Sequence, residues 1–126
     1  MSQDVAARLD IPEKLRGIVQ SVVDRKAVDL RVLYLGSVSD FTEFFLVCSG
    51  TNQRQVQAIG DAVVGHAREL GFRPLGVEGY SNGSWVLVDF GDMVIHIFSS
   101  ENREVYGLEK LWNDATDITG SFLSSG

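Results

Sequence analysis

Several features that whole classes of protein need are scarce or missing in this sequence. Cys48 is the single cysteine among 126 residues, so no disulfide can form within the chain. That usage is typical of a protein of the reducing cytosol. The N-terminal segment has no apolar stretch of the secretory kind, and Asp4 and Asp10 count against a transit peptide. No apolar run approaches the roughly 20 residues that span a bilayer. We therefore expect a cytoplasmic protein that does not enter a membrane.

Basic residues are also in short supply. The chain has 11 Lys and Arg against 17 Asp and Glu, which gives a formal net charge of −6. The basic residues occur singly or in pairs such as Arg25-Lys26, whereas nucleic-acid binding requires clustered cations that neutralise phosphates. We therefore expect no direct nucleic-acid binding. An acidic surface is better suited to a basic protein partner.

The motifs of common catalytic and metal sites are missing. There is no phosphate-binding glycine loop with lysine, no H-E-x-x-H and no G-x-S-x-G. His66 and His96 cannot make a structural zinc site on their own, and Cys48 is far from both in sequence. We expect His66 on the surface, His96 hydrogen-bonded within a strand, and Cys48 as a small core residue. The sequence predicts no metal and no cofactor.

Hydrophobic residues make up 44% of the chain, enough for one core, and their spacing predicts both helices and strands. Apolar stripes predict a helix from about residue 11 to Lys26 and a second from Val56 to Leu70, with Asn52 near its cap and Gly71 after its end. A third helix is predicted over residues 102–113. Strands are predicted over residues 30–35, 44–48, 73–77, 85–90 and 93–98.

These elements predict an α/β fold with a single mixed β-sheet and helices packed mainly on one face. One domain is expected over residues 1–115. Residues 116–126 are rich in Ser, Gly and Thr, and we expect them to form a flexible C-terminal tail.

Gly91-Asp92 separates two β-rich runs and predicts a tight hairpin turn. Counting outward from that turn pairs Phe90 with Met93, and the alternation of side chains then assigns two faces. One face is wholly apolar and should meet the helices. The other is mixed, and it comprises Trp85, Leu87, Asp89, Val94, His96 and Phe98. Such a face is either a docking surface or a second buried face covered by the last helix.

Gly36-Ser37, between two predicted strands with acidic residues downstream, faintly resembles a nucleotidyltransferase site. Enzymes of that class hold two metal ions through carboxylates that alternate along one strand. Here Glu43 is followed two residues later by Phe45, which cannot ligate a metal. The sequence therefore does not support a two-metal active site, and we expect a protein that is not an enzyme.

Three blocks of the sequence resemble the ribosome silencing factor (Iojap-like) family over about residues 14–115. They are DFTEFFLVCSGT at 40–51 leading to RQV at 54–56, VEG at 77–79 with WVLVDFGDMVIHIF at 85–98, and REVYGLEKLW at 103–112. Two departures occur within them. Glu43 stands where Asp is commoner in the family, and Gly107 interrupts the last predicted helix.

The resemblance implies a domain shaped like nucleotidyltransferases but without their catalytic set. It also implies binding to the large ribosomal subunit through ribosomal protein fourteen, at the face that meets the small subunit. A protein held there blocks subunit joining and represses translation when nutrients are scarce. Family members tend to be dimeric off the ribosome, so a homodimer is an expectation as well.

The predicted contact residues lie on the mixed sheet face and the last helix. Large aromatic side chains contribute most at such interfaces, and a carboxylate can pair with Lys or Arg of a partner. The residues are Trp85, Leu87, Asp89, Phe98 and Tyr106. Glu78 and Gly79 are expected to shape the loop before the hairpin. Two rival functions stay open at this point: a nucleotide-using enzyme on the same scaffold, and a dimerisation module whose self-interface is the Trp85 face.

Overall fold

A six-stranded mixed sheet organises the chain in the computed structural model, which describes residues 11–36, 42–81, 83–100 and 115–123. The strands in chain order are β1 (Val28–Tyr34), β2 (Phe44–Gly50), β3 (Gly76–Glu78), β4 (Trp85–Asp89), β5 (Met93–Ser99) and β6 (Thr116–Asp117). Their spatial order is β3-β4-β5-β2-β1-β6. The predicted last helix, with Tyr106, lies outside the described residues.

The sheet is mixed because one pairing at its centre is parallel. Strands β2 and β5 run parallel, with Leu46 opposite Ile95, and the other neighbouring pairs are antiparallel. The β4–β5 hairpin has the predicted register, with Val88 opposite Ile95. Gly91 has φ +89°, as a tight hairpin turn requires, and Phe90 N–H donates to the Met93 carbonyl across it.

Two longer helices pack on one face of the sheet, α1 (Glu13–Asp24) and α2 (Gln53–Glu69). The Asn52 side chain caps α2 by accepting from Gln55 N–H at 2.8 Å. Gly71, with φ +89°, ends that helix in the left-handed conformation that glycine adopts without a steric penalty. Both signals were predicted from the sequence. No helix in the described ranges has the length and apolar character that crossing a bilayer requires.

The hydrophobic core lies between these helices and the sheet. It joins one stripe from each helix to the apolar face of the four central strands. Its most buried members include Leu15, Ile18, Val22, Val32, Leu46, Val56, Ile59, Val63, Val86, Val88, Ile95 and Ile97. The predicted α/β fold, with one mixed sheet and helices mainly on one face, is confirmed.

The segment after residue 115 differs from the predicted flexible tail. Strand β6 pairs with β1, and a short helix α3 (Gly120–Leu123) follows it. Ile118 is only 1% exposed and donates its N–H to the Val32 carbonyl, while the Thr119 hydroxyl oxygen accepts from Val32 N–H at 2.9 Å. The prediction is therefore wrong for residues 116–123. A single buried isoleucine and a threonine hydroxyl anchor a segment whose average composition is that of a loop.

Candidate docking surface on the sheet

The second sheet face, opposite α1 and α2, carries four of the five predicted contact residues: Trp85, Leu87, Asp89 and Phe98. Cross-strand pairing sets Trp85 beside Phe98, Leu87 beside His96 and Asp89 beside Val94. All six side chains therefore share one face, as the hairpin register predicted. Three predicted contact residues, Trp85, Leu87 and Asp89, follow one another at alternate positions along β4.

This face is open at β4 and closed toward the middle of the sheet. Trp85, Leu87 and Asp89 are each partly exposed. Phe98 is 0% exposed, and Val47 and Leu33, on the same side of β2 and β1, are buried as well. The composition of this face left two interpretations open, a docking surface and a second buried face. Each applies to one half: the half toward the middle of the sheet is buried, and the half along β4 is accessible.

Phe98 therefore cannot touch a partner in this conformation, contrary to its predicted role. Its ring stacks on that of Trp85, with 5.1 Å between centroids and 29° between planes. Alternation along a strand assigns a side chain to a face but not to a depth. Phe98 thus packs against the predicted contact residue Trp85 from inside the protein.

Glu78 joins the accessible half through a pairing that sequence analysis missed. It lies directly opposite Leu87 in the β3–β4 ladder and is exposed. Its side chain consequently shares the face of Leu87 instead of only shaping the loop. The signal in the sequence is weak, because β3 has three residues and begins three positions later than the predicted strand. We call Glu78, Trp85, Leu87 and Asp89 the docking face.

The docking face is acidic. Glu78 and Asp89 flank Leu87 from two strands, and β3, β4 and β5 contain no Lys or Arg. Burial lowers the pKa of His96 to about 4, so its imidazole is uncharged at neutral pH. Two carboxylates beside a half-exposed indole and a leucine form an apolar centre with a negative rim.

Two local contacts hold the ends of β4 in place. Asp89 Oδ1 accepts from Gly91 N–H at 2.8 Å, which joins the carboxylate to the hairpin turn. Before the strand, Gly79 has φ +78°, and a Cβ on it would collide with the carbonyl oxygen of Trp85. Glycine is needed there both for the backbone conformation and for the close approach. The geometry of Gly79 thus supports the prediction that this residue shapes the loop before the hairpin.

The remaining predicted residues fall elsewhere. Tyr106 lies outside the described residues, so its place relative to Trp85 stays a prediction. Cys48 is buried in the core on the helix side of β2. His66 is half-buried, not solvated as predicted, because its Nε2 is packed where α2 crosses Gly17 of α1. In the described part of the chain, no three His, Cys, Asp or Glu side chains are arranged to hold a metal ion.

Comparison with protein families gives a match over nearly the whole chain. The model of the family described as "ribosomal silencing factor during starvation" matches residues 8–125. That range includes the docking face, the core strands and the C-terminal segment with Ile118. The matched range extends further at both ends than residues 14–115, over which the three sequence blocks resemble the family.

Individual relatives agree with the family match. The ribosomal silencing factor RsfS of Halalkalibacterium halodurans is 41% identical over 106 residues, covering 84% of this chain and 91% of the relative. A mouse protein named mitochondrial assembly of ribosomal large subunit protein 1 is 33% identical over 111 residues, covering 86% of this chain and 47% of that protein. A crystal structure of a Chromobacterium violaceum protein superposes with a TM-score of 0.78 at 31% identity, covering 83% of this chain and 88% of that chain.

Proposed function

This chain belongs to the ribosomal silencing factor family, and from that premise we propose that it binds ribosomal protein fourteen of the large subunit through the docking face. The observation that carries the proposal is the half-exposed Trp85 and Leu87 between the carboxylates of Glu78 and Asp89. An apolar centre with a charged rim is the usual anatomy of a protein–protein interface. The name of the mouse relative, which refers to the large subunit, supports the choice of that subunit.

Trp85 is the proposed anchor of the interface. Its ring already stacks on Phe98, so little side-chain freedom remains to be lost on binding. Tryptophan at the centre of an interface commonly contributes about 2 kcal/mol or more when truncated to alanine. Leu87 extends the apolar contact. Tyr106 is proposed as a further contact from the segment after β5.

Glu78 and Asp89 give the interface its preference for a basic partner. Carboxylates on the rim speed association with a positively charged surface and disfavour acidic surfaces. The net charge of −6 acts in the same direction over longer distances. Ribosomal proteins as a class are rich in Lys and Arg, which a carboxylate can bind through charge-assisted hydrogen bonds.

The proposed mechanism is steric and involves no catalysis. A chain of this length has a radius of gyration of about 14 Å. A body of that size on the joining surface of the large subunit keeps the small subunit from making its contacts. The protein would therefore repress translation in the cytoplasm by occupancy, under the starvation conditions that the family description names.

Co-sedimentation with purified large subunits tests the binding step. Wild-type protein is expected to pellet with large subunits, and Trp85→Ala is expected to lose about 30-fold or more in affinity. Tyr80→Ala is the matched control, because Tyr80 is an exposed aromatic residue that bonds Asp61 of α2 on the other side of the sheet. It should bind like wild type.

Charge-reversal variants measure the contribution of the acidic rim to binding separately from that of the apolar centre. Asp89→Lys and Glu78→Lys are expected to weaken binding to large subunits, mainly by slowing association at low salt. Asp61→Lys makes the same change in net charge on the helix side and should have a much smaller effect. Equal effects of all three variants would mean that only the net charge matters and that the docking face is placed wrongly. A wild-type protein that stays in the supernatant would refute the binding proposal itself.

A further inference from the structure

His96 is a buried titratable residue that is not part of the docking face. It lies on β5 with apolar cross-strand neighbours on both sides, Leu87 of β4 and Val47 of β2. Only 5% of its surface is exposed. It is therefore on the same side of the sheet as the docking face, next to Leu87 and one strand further in.

The imidazole contacts the proposed anchor by a hydrogen bond as well as by its ring. Trp85 Nε1–H donates to His96 Nδ1 at 3.1 Å, with the two ring centroids 5.9 Å apart. On its other sides the imidazole meets Phe45 edge-on at 4.6 Å and lies nearly parallel to Phe98 at 6.2 Å. One ring thus links aromatic side chains of β2, β4 and β5.

The hydrogen bond determines where the imidazole carries its proton. The ring is neutral at pH 7 because burial lowers its pKa to about 4. A neutral imidazole has one N–H and one acceptor nitrogen, and Nδ1 is the acceptor here. The proton is therefore on Nε2, which is buried and has no partner among the residues that the structure describes.

Stability alone does not account for this arrangement. A buried N–H without an acceptor is unfavourable, and an apolar side chain of similar size at this position would avoid that penalty. Only a side chain with a hydrogen-bond acceptor can bind the indole N–H of Trp85 at this position. Nδ1 has a hydrogen-bond partner in Trp85, whereas Nε2 has none among the described residues.

We propose that His96 is a positioning residue that holds the indole of Trp85 in the orientation in which it docks. The proposal rests on the proposed function and deepens it. With Phe98 beneath its ring and His96 on its N–H, Trp85 is fixed before the partner arrives, so less conformational entropy is lost on binding. The same bond implies that the partner's pocket for Trp85 is apolar, since the indole N–H already has its acceptor.

A matched pair of substitutions isolates the hydrogen bond. Asn and Leu have nearly the same shape, and the Oδ1 of Asn lies close to the position of Nδ1. His96→Leu removes the acceptor and is expected to weaken binding to large subunits about fivefold to tenfold. His96→Asn keeps an acceptor and should remain within about twofold of wild type. Tyr80→Ala again serves as the control outside the docking face.

A spectroscopic measurement on the folded wild-type protein gives a readout that a purely structural role would not move. Long-range ¹H–¹⁵N correlation should show His96 with Nδ1 unprotonated and Nε2 protonated at pH 7. The Trp85 indole N–H signal, distinguished from that of Trp112 by Trp85→Phe, should shift in His96→Leu and stay nearly in place in His96→Asn.

The outcomes separate this proposal from the proposed function. Equal binding of His96→Leu and wild type would overturn the positioning role while leaving the docking face intact. A proton on Nδ1 of wild-type His96 would overturn it even if both variants failed to fold. If wild-type protein does not sediment with large subunits, the proposed function fails, whatever the histidine tautomer is.

Discussion

At the scale of single residues, His96 makes the stability of the fold depend on pH. Its pKa in the folded protein is about 4, whereas an imidazole in an unfolded chain titrates near pH 6.5. Between these values the unfolded chain binds more protons than the folded protein. The contribution of a neutral His96 is therefore complete above about pH 6.5 and is lost as the pH falls toward about 4.

We expect the free energy of unfolding of the wild type to fall by about 1.4 kcal/mol per pH unit within that window because of this one residue. Urea unfolding from pH 7 to pH 4.5, compared with His96→Leu, measures it. Carboxylates titrate in both proteins, so the difference between the two slopes reports His96. Identical slopes would contradict a buried, neutral imidazole.

Gly79 gives a second prediction at this scale. Gly79→Ala should lower the free energy of unfolding by about 2 kcal/mol or more, because alanine disfavours the positive φ and its Cβ would meet the Trp85 carbonyl oxygen. Urea denaturation measures the loss. Gly76→Ala is the matched control in the same short region, since a Cβ there meets nothing within 4 Å. It should change stability by less than about 0.5 kcal/mol.

At the scale of elements, local signals explain what could be predicted. Gly91-Asp92 determined the hairpin register, and Asn52 and Gly71 marked both ends of α2. Each signal acts within a few residues of the element that it controls. The parallel pairing of β2 with β5 has no such signal, because Leu46 and Ile95 meet across about 50 residues of chain. Glu78 was missed on the docking face for a different reason, because β3 has only three residues and begins three positions later than the predicted strand. The bond between His96 and Trp85 was missed because alternation assigns both side chains to one face but does not show which of them bond.

A mutation in the C-terminal segment tests a contact that no local sequence signal predicted. Ile118→Ala should destabilise the protein by about 2–4 kcal/mol, because the side chain is buried in the core and its removal leaves a cavity. Thermal or urea unfolding measures the cost. Val23→Ala, at a partly exposed position on α1, is the control and should cost much less. A cost for Ile118→Ala as small as that of the control would restore the sequence-based expectation of a flexible tail.

At the scale of the whole molecule, the two sides of the sheet differ in how far they are buried and in the side chains that they carry. The helix side buries the apolar stripes of α1 and α2 and makes the core. The other side is buried in its middle and accessible along β4, where an apolar centre and two carboxylates form the docking face. The sequence predicted this division into two faces, together with Trp85, Leu87 and Asp89. It could not predict that Phe98 is too deep to touch a partner, since alternation along a strand assigns a side chain to a face and does not show how deeply it is buried there.

The proposed function requires that the protein, bound to the large subunit through the docking face, blocks subunit joining. Light scattering during the mixing of purified large and small subunits measures that block. Preincubating large subunits with excess wild-type protein should suppress most of the rise in scattering, and Trp85→Ala at the same concentration should suppress much less of it. Tyr80→Ala should act like wild type. A full rise in the presence of saturating wild-type protein would show that the protein does not block subunit joining.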